Sequence, residues 1–210
     1  MLNTHQIKRN EQYPVTDLIP NGKTILYGKS GAGKTYSILK HFNRHEIKPI
    51  LLDFDNNPSY ADFDYHHLDG VKVMQEFFSR YHRGTIDNEC DLMDENLPLI
   101  IDTYAMMDKC LNSIPLKEDT NRSELMTNIE MLDIFIERFM YCPDDAIIFI
   151  AHTKNSRTDT HPDMDDIFAN NCDCKLRLVH DISKKIDDVY LIKEKCRLSD
   201  GVNIIWDWER

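Results

Sequence analysis

With 210 residues, 41% of them hydrophobic, the chain can bury one core of ordinary size, and its length predicts a single domain over 1–210 with residues 1–20 as an N-terminal extension. A formal net charge of -11 argues against a surface coated in basic groups for nucleic acid or acidic lipid, while leaving room for a local basic groove or a pore shared between subunits. The six cysteines are scattered, no charged-apolar-small leader opens the sequence, and apolar runs such as 146–151 fall far short of the ~20 residues that cross a bilayer; the expectation is a cytoplasmic protein with no membrane contact.

In chain order, short runs apolar on both faces predict strands at 24–28, 48–55, 97–103, 146–152, 187–193 and 201–206. Helical spacing lies between them: Ile38 and Phe42; then Met74, Phe77, Phe78 and Tyr81; then Leu125, Ile129, Leu132, Ile136 and Phe139. Two heptads are too few for a coiled-coil seam, so the last stripe reads as one core-facing helix. Strands alternating with helices predict an α/β fold with a mostly parallel central sheet flanked by helices. Residues 153–175 show neither period and are long for a plain connection, which predicts a working loop or lid.

The first strand runs into GKSGAGKT, which places Gly28, Gly33, Lys34 and Thr35 on the pattern G-x-x-x-x-G-K-[ST] with a strand before and a helix after. Glycines let backbone N–H groups converge on phosphate at distances a Cβ would obstruct, and the helix N-terminus adds partial positive charge. The nucleotide-binding residues predicted here are Gly28, Lys29, Ser30, Gly31, Ala32, Gly33, Lys34, Thr35 and Tyr36. Lys34 reaches the β- and γ-phosphates of ATP, and the Thr35 hydroxyl serves Mg²⁺.

Three strand ends carry chemistry. Asp102 follows an apolar run and is placed to hold Mg²⁺ beside the phosphate loop, the alternative being a helix N-cap at Asp102 or Thr103. Asp53 and Asp55 alternate, so on a strand they share a face, and either could polarise an attacking water; a turn or cap role for Asp53 stays open. His152 ends the 146–152 run where a γ-phosphate would lie, or else it is a satisfied buried histidine. Cys172 and Cys174, near His161 and His180, lack the usual zinc spacing, and buried or loop thiols are the preferred reading.

Together these residues resemble the RecA-like ATPases, the class of RecA itself, the DnaB-type ring helicases, RadA, and the small single-domain ATPases that phages encode for single-strand annealing and recombination. The resemblance rests on GKSGAGKT, LLDFD, LIIDTYAMM, FIAHTKN and KEKCRLSDG, which span residues 24 to 201. It implies a Mg²⁺-dependent ATPase acting on DNA, with Asp55 as catalytic acid and His152 as phosphate sensor. It further implies that Lys195 and Arg197, a K-x-R pair, project into a neighbour's ATP site, so that the active form is a homo-oligomer, a hexamer or a filament, on single-stranded DNA. If phage-encoded, it works in the host cytoplasm. A guanidinium supplied in trans is worth about 10³ to 10⁵ in rate in nucleotide hydrolases. The solvated strand end is the plainer reading of the pair.

Two features depart from the family. Asp55 stands where glutamate is usual, and the loop at 153–175 holds Asp159, Asp163, Asp165 and Asp166 beside only Lys154 and Arg157 before Lys175, an awkward lining for DNA. They keep open an ATP-switched ATPase with a protein partner. A small P-loop kinase fits less well, since such enzymes close an arginine-rich lid over the phosphates and this segment has one arginine.

Overall fold

The computed structural model describes residues 4–6, 22–56, 60–83, 97–114, 128–139, 146–154, 161–180 and 189–196. Its described strands form one sheet: β1 (Thr4–Gln6), β2 (Gly22–Gly28), β3 (Ile50–Asp53), β4 (His66–Asp69), β5 (Leu99–Asp102), β6 (Ala146–His152), β7 (Cys174–His180) and β8 (Val189–Cys196). Their order is β1-β8-β7-β2-β6-β5-β3-β4. From β7 to β4 the neighbours pair in parallel, whereas β8 runs antiparallel to β7, and β1 antiparallel to β8. The helices are α1 (Lys34–Arg44), α2 (Gly70–Arg83), α3 (Tyr104–Ser113), α4 (Asn128–Phe139) and α5 (Asp166–Asn171).

The central strands are apolar on both faces because both faces are covered. Leu26, Leu51, Ile100, Ile148 and Ile150 pack with Ile38, Leu39 and Phe42 of α1. The alternate residues Ile25, Ile50, Leu52, Ile101 and Phe149 pack on the other face with Phe78 of α2, Met107 of α3 and Phe135 of α4. Each such side chain, fully buried, stabilises the fold by about 1.5–3 kcal/mol. The same alternation fixes the working edge: Gly28, Asp53, Asp102 and His152 each stand two residues beyond a member of the α1-side cluster, so all four end on the α1 face.

Several elements differ from the sequence expectation. The run at 48–55 stops as a strand at Asp53, because the Asp53 carboxylate accepts from the backbone N–H of Asp55 and of Asn56 and turns the chain there. Strand β4, with sequence HHLD, is a polar edge strand and has no apolar run to announce it. Within 153–175, Thr153 bridges Pro162, Asp165 caps α5 through the N–H groups of Ile167 and Phe168, and β7 begins at Cys174. In β7 Cys174, Leu176 and Leu178 are buried in alternation with Lys175 and Arg177, a period-two signal that a reading of the segment as loop conceals. In α4 the buried face includes Met131, Leu132, Phe135 and Ile136, a broader stripe than the one predicted. Leu125, the predicted strand at 201–206 and Arg197 lie outside the described residues.

Cys172 and Cys174 are both buried but belong to the core clusters on opposite faces of the sheet, so the two thiols do not converge. Among the described residues no helix is long and apolar enough to cross a membrane.

Candidate nucleotide site

The phosphate loop leaves β2 at Gly28 and enters α1 at Lys34. Gly28 is required by the sheet itself: a Cβ there would collide with the carbonyl oxygen of Leu178 on β7. Gly31 and Gly33 sit at φ 73° and φ 83°, the left-handed region that glycine adopts at little cost. Lys29, Ser30 and Gly31 form an exposed crest, and Ala32 N–H closes the turn onto the Lys29 carbonyl at 3.2 Å. Gly33 is the N-cap residue of α1 and supplies no side-chain cap, and the first turn carries no acid. The leading N–H groups of an 11-residue helix therefore point into the loop without a side-chain acceptor, the arrangement that receives anions.

Lys34 and Thr35 follow at once and are both buried. The Lys34 ammonium donates to the Gly28 carbonyl at 3.1 Å and the Lys29 carbonyl at 2.9 Å, and lies 3.3 Å from His152 Nδ1. Burial pushes its pKa down to about 8, with Asp102 pulling the other way. Thr35 Oγ1 donates to Asp102 Oδ2 at 2.6 Å. Burial pushes the Asp102 carboxyl up to about 6; the Thr35 hydrogen bond opposes the rise, and Asp55 and Asp53 add to it. Each member of this pair of residues is thus short of a counter-charge, the ammonium of an anion and the carboxylate of a cation.

Those shortages are what a magnesium nucleotide would fill. Magnesium in such sites takes one or two protein oxygens and otherwise phosphate and water. Thr35 and Asp102, with adjoining oxygens on the α1 face, are a donor set of that kind. No group of three or more His, Cys, Asp or Glu able to hold a metal ion exists among the described residues, and Cys172 and Cys174 offer none.

Asp53, Asp69 and Asp102 end β3, β4 and β5 in register, with Asp53 between the other two. Asp53 is spent on structure, since Oδ1 accepts from two backbone N–H groups and Oδ2 is 3.2 Å from His67 Nε2. Asp69 accepts from Lys72 N–H at the start of α2. Asp55 is exposed past the end of β3 and acts electrostatically on both Asp102 and His152. Sequence reasoning missed His67, which only the pairing of β4 with β3 brings to Asp53; nothing local in HHLD marks it. Tyr36, partly exposed on α1, meets Phe63 edge-on at 4.9 Å, with Lys40 Nζ 5.9 Å from the Tyr36 ring centre.

The structure brings Lys34, Thr35, Asp102, His152 and, through its field, Asp55 to one edge. It does not bring Lys195 there. Lys195 pairs with Lys175, which pairs with Ile25, so its backbone is level with a residue three positions before Gly28. That is ~10 Å down the sheet and two strands, ~10 Å, to the side of the phosphate loop.

The fold is RecA-like. The solved structure of the RadB recombinase is similar to this chain, with a TM-score of 0.50 and 17% identity over 89% of this chain and 86% of that one. No protein-family model and no curated protein matches the sequence.

Proposed function

We propose that this chain is a Mg²⁺-dependent ATPase of RecA-like type that acts on DNA, in recombination, annealing or replication, as a ring or filament of identical subunits with the ATP site shared between neighbours. The observation that carries the reading is the buried Thr35–Asp102 contact of 2.6 Å beside a lysine at the uncapped start of α1. The RadB recombinase resemblance supports the DNA target. Lys34 and the loop N–H groups bind the phosphates. Thr35 and Asp102 would hold a magnesium ion, which would supply charge neutralisation at the phosphates. Asp55 orients the attacking water and takes its proton; Asp53 is the poorer candidate, because both of its oxygens already hold partners. His152 faces the γ-phosphate position as sensor.

The position of Lys195 supports the shared site, since its backbone lies ~10 Å down the sheet and two strands aside from its own phosphate loop. Lys195 and Arg197 act on a neighbouring subunit, a role that a strand end running away from its own site can serve. The chain works as a single domain, with the part of 153–175 that precedes α5 as the working loop.

The test is the ATPase rate with and without single-stranded DNA, repeated with Arg197→Ala titrated into wild type. Stimulation by DNA is expected, with a loss on mixing that exceeds simple dilution; a rate indifferent to both would sink the reading. A second reading, an ATP-switched ATPase with a protein partner, is favoured by the exposed Asp55 in place of a glutamate and predicts slow, DNA-independent turnover.

A further inference from the structure

An ammonium has three N–H bonds, and in this structure Lys34 uses all three: on the Gly28 carbonyl, on the Lys29 carbonyl and on Nδ1 of His152. The third requires an unprotonated Nδ1, with its lone pair aimed at the ammonium. Phosphate oxygens accept hydrogen bonds and do not donate them. When a triphosphate enters and draws Lys34 onto its own oxygens, the Nδ1 lone pair is left facing another acceptor, unless Nδ1 gains a proton, either by a change of tautomer or by uptake from solvent; only uptake makes the ring a cation that matches an arriving anion.

We propose that binding of a nucleoside triphosphate loads one proton from solvent onto His152, so that the ring which holds Lys34 in the nucleotide-free protein becomes a second cationic donor to the terminal phosphate. This rests on the nucleotide-site reading above. The charged groups facing the ring are Lys34 from α1, Asp55 beyond β3 and Asp163 on the return segment; Asp163 N–H also donates to the His152 carbonyl at 2.7 Å. On the neighbouring strand β5, Asp102 is engaged by Thr35. In the nucleotide-free protein burial holds the imidazole below its ordinary range, and the Lys34 charge adds to this while Asp55 and Asp163 oppose it. Departure of the ammonium and arrival of an anion both act in the opposite direction.

The sign follows from linkage. Between the lower pKa of the nucleotide-free state and the higher one of the complex, binding takes up a proton, so affinity rises as pH falls, by at most about tenfold per pH unit, and is flat outside that window. Titration calorimetry of the full chain with a non-hydrolysable ATP analogue and Mg²⁺, in two buffers of different ionisation enthalpy at pH 7, counts the protons. Uptake approaching one per nucleotide is expected in wild type, with a loss in His152→Gln; the analogue's own ionisation cancels between the two proteins. Nitrogen NMR of the His152 ring in wild type gives the answer without a variant: both Nδ1 and Nε2 should carry protons in the complex. Binding with equal uptake in wild type and variant, or a neutral ring in the complex whichever nitrogen holds its proton, overturns this inference alone. No binding of the analogue overturns it together with the nucleotide-site reading.

Discussion

Asp53 and Asp102 make a controlled comparison. They are the same residue, in register on adjacent parallel strands, both ending on the α1 face and both buried. Asp53 is loaded with hydrogen-bond donors: two backbone N–H groups and an imidazole. Asp102 accepts from the Thr35 hydroxyl, and burial drives its carboxyl up to about 6. Burial alone therefore does not mark a functional acid; the balance between burial and hydrogen-bond supply does. The carboxylate with its donors in place holds the chain together, and the one short of them is left with its charged form disfavoured.

The largest expected difference is in turnover. Asp102→Asn should lower the ATPase rate by about 10²–10³ in steady-state assays at saturating Mg²⁺, because a carboxylate of the magnesium site is lost; a rate near wild type would remove Asp102 from the metal site. Next comes stability. Asp53→Ala strips the acceptor from two backbone N–H groups and should cost about 2–4 kcal/mol in chemical denaturation, far more than Asp102→Asn costs.

A subtler effect has the opposite sign. The folded-state pKa of Asp102 is raised from 3.8 to about 6, so its contribution to stability is fully present below pH ~4 and is lost as pH rises through about 6. Asp102→Asn should thus stabilise the nucleotide-free protein by about 1–2 kcal/mol in thermal melting at pH 8, and leave its stability nearly unchanged at pH 4. Equal shifts at both pH values would mean that the carboxylate is not strained. The smallest effect belongs to His67→Ala: the ring is about half exposed, so its loss from Asp53 should cost less than about 1 kcal/mol by thermal melting.

Much of this site was legible in sequence because its signals are local. The loop pattern, a strand before it and a helical stripe after it occupy one continuous stretch, and the acids Asp53 and Asp102 each close an apolar run. What was not legible depends on pairing across the sheet. His67 reaches Asp53 only because β4 lies beside β3, and β4 carries no apolar pattern, since an edge strand has little to bury. The need for glycine at position 28 comes from Leu178, 150 residues away, as well as from any phosphate. Whether Asp53 was a base or a turn acceptor was undecidable from alternation, because alternation assumes a strand that continues; the carboxylate itself ends the strand. Likewise the period-two pattern of β7 was hidden by the acidic, aperiodic residues before it.

The direction of β8 has one more consequence. Every strand from β7 to β4 climbs toward the phosphate loop, and β8 descends, so by Cys196 the chain is heading away from the site it built. On the shared-site reading proposed above, turnover would be a property of a population: molecularity, and not only pocket chemistry, would set the rate, and dilution would act as an inhibitor.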